Sequence, residues 1–370
     1  MRVLVCPDKF RGTATAPQVA TALETGWRRA RPNDTVDLLP LADGGEGTLE
    51  ALAADASLRS ATVAGPLGDP VEVAFALRAD GTAVLESARA IGLDLLSPSR
   101  RDPRRTTTRG LGELIGAAMD AGARRILVGL GGSATNDGGA GLAQALGARL
   151  VDASGRPVGP GGSALLELAG IDLRGLDPRL ASVEVVGLTD VDNPLTGPRG
   201  ASAIFGPQKG ARSEDVWTLD HALGHLAAVV RRDLGLDAAG EPGAGAAGGL
   251  GYGLCVFAGA RLRSGAASVG EVVGLQERVG AADLVVTGEG ALDATSLGTK
   301  VVGQVLRLAG LCGCRVAVVC GRAEVRPPGV EVVALVEEVG EAAALRDVRV
   351  ALVEVGERLA ARSTAREGVG

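Results

Sequence analysis

Apolar residues near the N-terminus change from continuous runs to a helical spacing and back again. Residues 2–6 form an apolar run typical of a buried strand, and residues 35–39 form a second one. Between them Val19, Leu23 and Trp27 recur every four residues, which is the spacing of an amphipathic helix. The order strand, helix, strand predicts a parallel βαβ unit at this end of the chain.

The same pattern returns near the C-terminus. Residues 283–286 and 315–320 read as buried strands, and a helix over residues 301–308 lies between them. Two strands are too few for an independent α/β domain, so the N-terminal piece needs partners from elsewhere in the chain. We therefore expect the two chain ends to contribute strands to one sheet.

The middle of the chain has shorter elements. Residues 71–77 and 82–86 are β-like runs broken by Gly-Asp-Pro and Asp-Gly turns. A helix over residues 111–119 leads to an apolar strand over 125–130, and a long helix covers residues 215–231. This segment is long enough to form a domain of its own.

The predicted fold class is α/β, with two α/β domains. A parallel-sheet domain of the Rossmann or flavodoxin type is split between residues 1–64 and 281–370, and a second α/β domain, residues 65–280, is inserted in it. Ligands of parallel sheets bind beyond the carboxyl ends of the strands. We expect the site in the cleft where the two domains meet.

Composition narrows the class of protein. No stretch is apolar over the roughly 20 residues that a membrane span needs, and the N-terminus reads as a strand rather than a signal peptide. A net charge of -6 and 2% aromatic residues argue against binding nucleic acid. The five cysteines match no zinc spacing, so we expect reduced thiols in a cytoplasmic protein.

Lysine is rare in this chain. Among 38 lysines and arginines, the lysines are Lys9, Lys209 and Lys300. A lysine in an arginine-rich background is a candidate for a position that needs a compact ammonium, such as a phosphate contact. Chance survival of three lysines is the alternative interpretation.

Two loops that follow the first two predicted strands carry charged residues and glycine. Glycine lets the backbone approach a ligand closely, and the helix N-terminus that follows favours anions. An acid before a helix can instead serve only as its cap. The candidate residues are Asp8, Lys9, Arg11, Asp43, Gly44, Gly45 and Glu46.

A third glycine-rich loop, residues 129–139, also follows a predicted strand. Its candidates for a phosphate cradle are Gly132, Ser133, Thr135, Asn136 and Asp137. The loop also fits a relaxed dinucleotide fingerprint, and residues 243–248 fit a tighter one, although no strand precedes them. A nicotinamide-dependent dehydrogenase therefore remains an alternative, as does a non-catalytic module that binds a small acid.

Three further loops cover residues 190–195, 206–210 and 287–293. Asp190, Asp192 and Asn193 follow a predicted strand, and such a set suits Mg²⁺, which takes one or two carboxylates and keeps several waters. An Asx turn before the next proline is the structural alternative. The last of these loops adds the candidates Glu289 and Asp293.

Taken together, these loops resemble the signature blocks of the bacterial class I glycerate kinases. The matching segments are Asp-Gly-Gly-Glu-Gly-Thr (43–48), Gly-Gly-Ser-Ala-Thr-Asn-Asp-Gly-Gly (131–139), Asp-Val-Asp-Asn-Pro-Leu (190–195), and the glycine-containing runs 205–211, 243–251 and 287–290. They occur in the family's order over about residues 1–340. In the first loop the family often has Asp-Ser-Phe-Lys, whereas this chain has Asp-Lys-Phe-Arg.

The resemblance implies two different α/β domains, one of them split, and an enzyme that phosphorylates D-glycerate from ATP with Mg²⁺. The implied product is 2-phospho-D-glycerate. Asp43, Asp190 and Asp192 are the candidate acids, and Asp190 and Asp192 are also the candidate Mg²⁺ ligands. Lys209 and Lys300 are the candidates for contacting phosphate or the glycerate carboxylate. No nucleic-acid or membrane partner is expected, and a homodimer is left open.

Overall fold

The computed structural model describes residues 1–53 and 55–367. The chain divides into two compact units. The first unit consists of Met1–Asp43 and Ser264–Gly370, and the second unit is Gly44–Arg263.

The β-strands are short to medium in length and occur throughout the chain. Strands β1 to β13 are, in order, Arg2–Val5, Thr35–Leu38, Ala56–Ala64, Pro70–Arg78, Thr82–Glu86, Arg125–Gly129, Arg149–Val151, Gly170–Asp172, Glu184–Leu188, Arg261–Arg263, Leu284–Leu292, Arg315–Ala323 and Glu331–Ala334.

The α-helices alternate with these strands in both units. Helices α1 to α14 are Ala16–Ala30, Thr48–Leu52, Ser87–Ile91, Arg109–Asp120, Ala140–Ala145, Ala201–Phe205, Ser213–Leu234, Ala246–Ala258, Gly265–Val272, Leu275–Ala281, Val301–Cys312, Leu335–Glu338, Glu341–Arg346 and Val348–Glu367. Short 3-10 helices occupy Leu93–Leu95, Pro98–Arg100, Gly162–Glu167, Pro178–Ala181, Pro207–Lys209 and Ala294–Leu297.

The first unit is built on a five-stranded parallel sheet in the order β13-β12-β11-β1-β2. Strand β1 pairs with β2 on one side and with β11 on the other, so that Val5 lies between Leu38 and Val286. The prediction that the two chain ends share one sheet is therefore confirmed. Helix α1 begins with a capping box at Thr15 and packs against α14.

Strand β11 extends further than the sequence pattern predicted. Residues 287–292 were expected to be a loop, but they continue the strand and pair with β12 as far as Leu292 opposite Ala323. A Cβ atom on Gly288 would lie 1.9 Å from the carbonyl oxygen of Val319, so glycine allows the two strands to approach. Glu289 therefore lies within strand β11 and not in a loop.

The second unit is built on a six-stranded mixed sheet in the order β10-β9-β6-β5-β4-β3. Strands β10, β9, β6 and β5 are parallel, whereas β4 and β3 form an antiparallel hairpin at one edge. A small antiparallel pair, β7 and β8, lies apart from this sheet. The predicted fold class, with a split parallel-sheet domain and an inserted α/β domain, is thus confirmed.

Both junctions between the units lie earlier in the sequence than the predicted ranges 1–64, 65–280 and 281–370 place them. Residues 44–64 belong to the second unit, because β3 pairs over its whole length with β4. Residues 264–280 belong to the first unit, where Arg278 forms an ion pair with Asp37 at 2.9 Å.

Within residues 1–53 and 55–367, no helix has both the length and the apolar character that crossing a membrane requires.

Candidate functional site

The strand order of the first unit creates a natural binding position. Strand β2 lies on one side of β1 in the sheet, and β11 lies on the other side. The loops that follow β1 and β11 therefore diverge at the carboxyl edge of the sheet. In open α/β sheets, ligands bind at such a reversal of strand order. A cavity of about 450 Å³ opens there.

Predicted site residues from distant parts of the sequence line this cavity together. The first loop, the loop after β2 and the extended β11 with its following turn all contribute. The predicted residues on its wall are Asp8, Lys9, Arg11, Asp43, Glu289, Asp293 and Lys300.

Asp8, Lys9 and Asp43 form a charged cluster on one wall. The Lys9 ammonium lies 3.7 Å from Oδ1 of Asp43, and the Lys9 backbone N–H donates a 2.7 Å hydrogen bond to Oδ1 of Asp8. Burial and the negative charge of Asp43 raise the pKa of Asp8 to about 7, while the Lys9 cation acts in the opposite direction. Asp8 can therefore exchange a proton near neutral pH.

Glu289 has an oxygen atom that is available for a ligand. Its Oε1 atom is buried and has no hydrogen-bond partner in the described part of the chain. Burial raises the pKa of Glu289, and the Ser296 hydroxyl and the Lys300 ammonium partly offset this effect. Leaving a buried hydrogen-bond acceptor without a donor costs free energy of folding. Such an atom therefore indicates a position where a bound ligand donates a hydrogen bond.

Asp293 and Lys300 are joined through one short segment. Asp293 caps the 3-10 helix Ala294–Leu297 by accepting hydrogen bonds from the backbone N–H groups of Thr295 and Ser296. The Lys300 ammonium donates to Thr295 Oγ1 at 2.8 Å. Asp293 therefore holds the segment that orients Lys300, and its cap geometry accounts for its position.

The sequence interpretation did not include several residues of the same cavity. Arg322 lies near the end of β12 and forms an ion pair with Glu341 of α13 at 3.2 Å. Arg322 could have been found by the rule that identified the other loops, because it follows the apolar run 315–320. An apolar part of the wall was also missed, and it consists of Leu335, Val336, Ala344 and Val348.

The glycine-rich loop of the second unit packs closely against other backbone segments. A Cβ atom on Gly131 would lie 2.6 Å from Cα of Gly45, and one on Gly248 would lie 1.9 Å from the Thr135 carbonyl oxygen. The predicted residues Gly44 and Gly45 thus lie beside the 131–139 loop. These contacts explain the glycines in the 243–248 fingerprint by packing, and no strand precedes that fingerprint in the structure.

The remaining predicted residues of this region differ in exposure. Ser133, Thr135, Asn136 and Asp137 are buried. Gly132 has a left-handed φ of 75°, which glycine adopts without strain, and Glu46 is exposed just before α2.

Asp137 is the acceptor that organises this loop. It accepts hydrogen bonds from the Thr108 backbone N–H at 2.8 Å, the Thr108 hydroxyl at 3.0 Å, and the backbone N–H groups of Gly139 and Gly141 at 3.2 Å. Burial raises its pKa, and these hydrogen bonds oppose the shift. The geometry supports a structural role for Asp137.

Asp137→Ala should lower the free energy of unfolding by about 3 kcal/mol, because it leaves several buried donors without an acceptor. Urea unfolding followed by circular dichroism measures the loss. The control is Asp120→Ala, which removes an exposed carboxylate paired with Arg179 and should cost less than about 1 kcal/mol. Equal losses in the two variants would contradict the structural role.

Lys209 is buried beside this loop. Its ammonium donates to Ser133 Oγ at 3.0 Å and to the Thr135 carbonyl oxygen at 2.7 Å. Burial lowers the pKa of Lys209 to about 7, although the Asp137 charge opposes the shift. Next to it, Asn136 donates to Ser202 Oγ, while its own Oδ1 is buried with no partner among the described residues.

The loop after β9 brings the predicted magnesium ligands to the surface of the second unit. Asp192 is exposed and pairs with Arg199 at 3.0 Å, and Asn193 donates to the Arg199 carbonyl oxygen at 2.8 Å. Asp190 is half-buried on the strand side of the same loop. Two neighbouring carboxylates suit Mg²⁺, which takes few protein ligands. Within residues 1–53 and 55–367, no cluster of three or more His, Cys, Asp or Glu residues is arranged to hold a metal.

Comparison with known proteins agrees with the resemblance found in the sequence. The sequence profile of the Glycerate kinase family matches residues 3–363. A Bacillus subtilis (strain 168) protein named glycerate kinase is 49% identical over 303 residues, which cover 81% of this chain and 79% of that protein. An Escherichia coli (strain K12) protein named glycerate 2-kinase is 47% identical over 304 residues, with coverages of 81% and 80%.

A solved structure gives the same result for the fold. The crystal structure of a protein from Salmonella typhimurium LT2, described as a glycerate kinase 2, matches with a TM-score of 0.86 and 41% sequence identity. The match covers 100% of both chains.

Proposed function

Because the chain belongs to the glycerate kinase family and is a small-molecule kinase, we propose that it transfers the terminal phosphoryl group of ATP to D-glycerate. The proposed product is 2-phospho-D-glycerate, in line with the name of the Escherichia coli relative. The observation that carries this proposal is the convergence of predicted acids and cations on one cavity at the strand reversal of the first unit.

We assign ATP to this cavity. Its volume of about 450 Å³ is in the range of cofactor-sized sites and is larger than a three-carbon acid needs. Its apolar part offers a surface for the adenine base, and its charged part offers cations for the phosphates. The cations on the wall are Lys9, Arg11, Lys300 and Arg322.

Phosphoryl transfer depends on positioning and charge neutralisation more than on covalent chemistry by the protein. In our proposal Asp43 orients the attacking hydroxyl and accepts its proton. Asp8, whose pKa is raised to about 7, lies in the same group and can take up a proton beside it. Lys300 and Lys9 neutralise negative charge on the phosphates.

In the second unit we propose that the group around Lys209 receives the small anionic substrate. An ammonium can donate three hydrogen bonds, and two of the Lys209 donors are used by Ser133 and the Thr135 carbonyl oxygen. The acceptor Oδ1 of Asn136 suits a hydroxyl donor. Glycerate carries both a carboxylate and hydroxyl groups.

We propose that Asp190 and Asp192 hold Mg²⁺. Their carboxylates lie two residues apart after β9, and Asp192 would exchange its exposed pairing with Arg199 for the metal. The ion would neutralise charge on the phosphates of ATP. Asn193 holds the loop in place through the Arg199 carbonyl oxygen.

We also propose a cytoplasmic location. All five cysteines carry free thiols, and Cys6 and Cys320 are buried. Unpaired cysteines are typical of a reducing compartment, which also supplies ATP.

ADP release in the presence of Mg²⁺, ATP and D-glycerate tests the proposed function. We expect ADP to form only when D-glycerate is present and to form much more slowly with L-glycerate. ATP consumption at the same rate without glycerate would contradict the proposal, and turnover of NAD(H) with glycerate would favour a dehydrogenase.

The proposed role of Asp8 also predicts a pH dependence of stability. Its pKa is raised in the folded state from its ordinary value of 3.8 to about 7, so its contribution is fully present below about pH 4 and is lost as the pH rises through 7. Asp8→Asn removes this loss. The variant should match the wild type near pH 4 and be more stable at about pH 8, by about 4 kcal/mol.

Chemical denaturation at both pH values measures this difference. Asp37→Asn, at an exposed position of the same unit, is the control and should change stability by less than about 1 kcal/mol at either pH value. A wild-type-like pH profile for Asp8→Asn would show that Asp8 does not hold the proton.

A further inference from the structure

Two cysteines lie one residue apart at the junction between α11 and β12. Helix α11 ends at Cys312, Gly313 follows it, and Cys314 directly precedes the first residue of β12. Both cysteines carry free thiols; Cys312 is exposed and Cys314 is half-buried. Neither thiol has a part in the proposed phosphoryl transfer, so the pair needs a separate explanation.

The turn at Gly313 brings the two cysteines close together. Gly313 has a φ of 68° and a ψ of 20°, a left-handed conformation that glycine adopts without strain. Its backbone N–H and that of Cys314 both donate to the Ala309 carbonyl oxygen, which fixes the end of the helix. A residue with helical geometry of either hand separates the Cα atoms of its two neighbours by about 5.4 Å. Disulfides span Cα separations of about 4.4–6.8 Å, so the turn allows one to form.

The two sulfur atoms lie against the same end of helix α10. The Cys314 thiol donates a 3.0 Å hydrogen bond to the Val279 carbonyl oxygen. Sγ of Cys312 lies 3.7 Å from the position that a Cβ atom on Gly280, the next residue, would occupy. The backbone turn and the shared contact with α10 therefore place both thiols at one small patch of the first unit.

The two thiols differ in the way that a two-step exchange requires. Cys312 is exposed, so a dissolved disulfide can reach its sulfur atom. Burial and the neighbouring Cys312 thiol raise the pKa of Cys314, so this thiol keeps its proton at neutral pH until the exchange reaches it. The other cysteines are less accessible: Cys6 and Cys320 are buried, and burial raises the pKa of Cys255 to about 11.

We propose that Cys312 and Cys314 form a site of reversible oxidation by low-molecular-weight disulfides such as glutathione disulfide. The Cys312 thiolate attacks one sulfur of that molecule, a new S–S bond forms, and the other half leaves as a thiolate. The Cys314 sulfur then attacks Sγ of Cys312 and displaces the second half. Both protons of the protein thiols pass to the two released thiolates, so the products are one protein disulfide and two small thiols.

This site is independent of the proposed kinase activity. Strand β12 begins at Arg315, so the cysteine pair lies at the amino edge of the parallel sheet. The cavity that we assign to ATP opens at the carboxyl edge of the same sheet. The redox state of the pair can therefore be measured without reference to turnover.

Mass spectrometry of tryptic peptides tests the proposal after the protein is incubated with glutathione disulfide and its free thiols are alkylated. Trypsin cleaves after Arg307 and Arg315, so the peptide 308–315 contains Cys312 and Cys314 and no other cysteine. We expect this peptide from the wild type to lose two hydrogen atoms, to escape alkylation and to carry no glutathione, and dithiothreitol should reverse the change. A peptide that is still fully alkylated, or that keeps a glutathione adduct, would overturn the proposal.

Two serine variants separate the steps of the exchange. Cys314→Ser blocks the second step, so glutathione should remain attached to Cys312. Cys312→Ser removes the exposed nucleophile, and Cys314 should then react about tenfold more slowly or less, because its raised pKa lowers the fraction of thiolate. Cys255→Ser is the matched control and should behave as the wild type. Equal reaction rates of Cys312→Ser and Cys314→Ser, or disulfide-linked dimers of the wild type, would also overturn the proposal.

Discussion

Asp43→Asn lowers turnover about a hundredfold or more and leaves the thermal unfolding midpoint almost unchanged. The expected loss of turnover is the usual scale for removing a group that takes a proton in the transition state. Asp43 lies on the cavity wall 3.7 Å from the Lys9 ammonium and is half-buried, so its replacement leaves the hydrophobic core intact. Steady-state kinetics and differential scanning calorimetry on the same preparation measure both quantities.

The control for this variant is Asp37→Asn in the same unit. Asp37 is exposed and paired with Arg278, so its replacement should leave turnover near the wild-type value. A residue that served only to cap a helix would behave differently, because its loss costs about 1 kcal/mol of stability with activity kept. That outcome for Asp43 would remove it from the mechanism.

Lys300→Met should lower kcat/KM for ATP about a hundredfold while the fold is retained. The substitution keeps most of the side-chain length and removes the ammonium that faces the cavity beside Thr295. Removing one preorganised charged donor from a reacting phosphate typically has an effect of this size. Kinetics at varied ATP concentration, with circular dichroism to verify folding, measure the effect.

The other two lysines give a graded comparison. Lys209→Met should also reduce turnover strongly, but it should cost about 1–2 kcal/mol of stability as well, because Ser133 and Thr135 lose a buried donor. Lys9→Met should have a smaller effect on turnover. Nearly full activity of both Lys300→Met and Lys209→Met at saturating ATP would contradict the interpretation of the rare lysines as functional.

The parts of the fold that follow from local periodicity were predictable from the sequence. Strand β1, helix α1 and strand β2 produce continuous and helical apolar patterns, and a two-strand piece required partners that β11 and β12 supply. The exposed edge strand β3 was missed, because exposed residues 57–60 give it no clear alternation. The end of β11 was missed because Gly-Glu-Gly is typical of a loop, and only its pairing with β12 keeps it extended.

The candidate site also has residues that the sequence could predict and residues that it could not. Asp8, Asp43 and Glu289 could be found because each follows an apolar run in the sequence, and parallel strands run toward one edge of a sheet. Hydrogen-bond partners could not be predicted from the sequence, although they distinguish Asp137, which holds its loop, from the equally buried Asp8, which lies beside Asp43. Glu341 could not be predicted either, since it comes from a helix whose position depends on tertiary packing.

Phosphorus NMR of the products formed with Mg²⁺, ATP and D-glycerate tests the central claim most directly. The proposed function predicts that a 2-phosphoglycerate resonance grows in step with the ADP resonances and is absent when glycerate is omitted. Formation of 3-phosphoglycerate alone would contradict the proposed position of transfer. Release of inorganic phosphate with no phosphoglycerate would contradict glycerate phosphorylation itself.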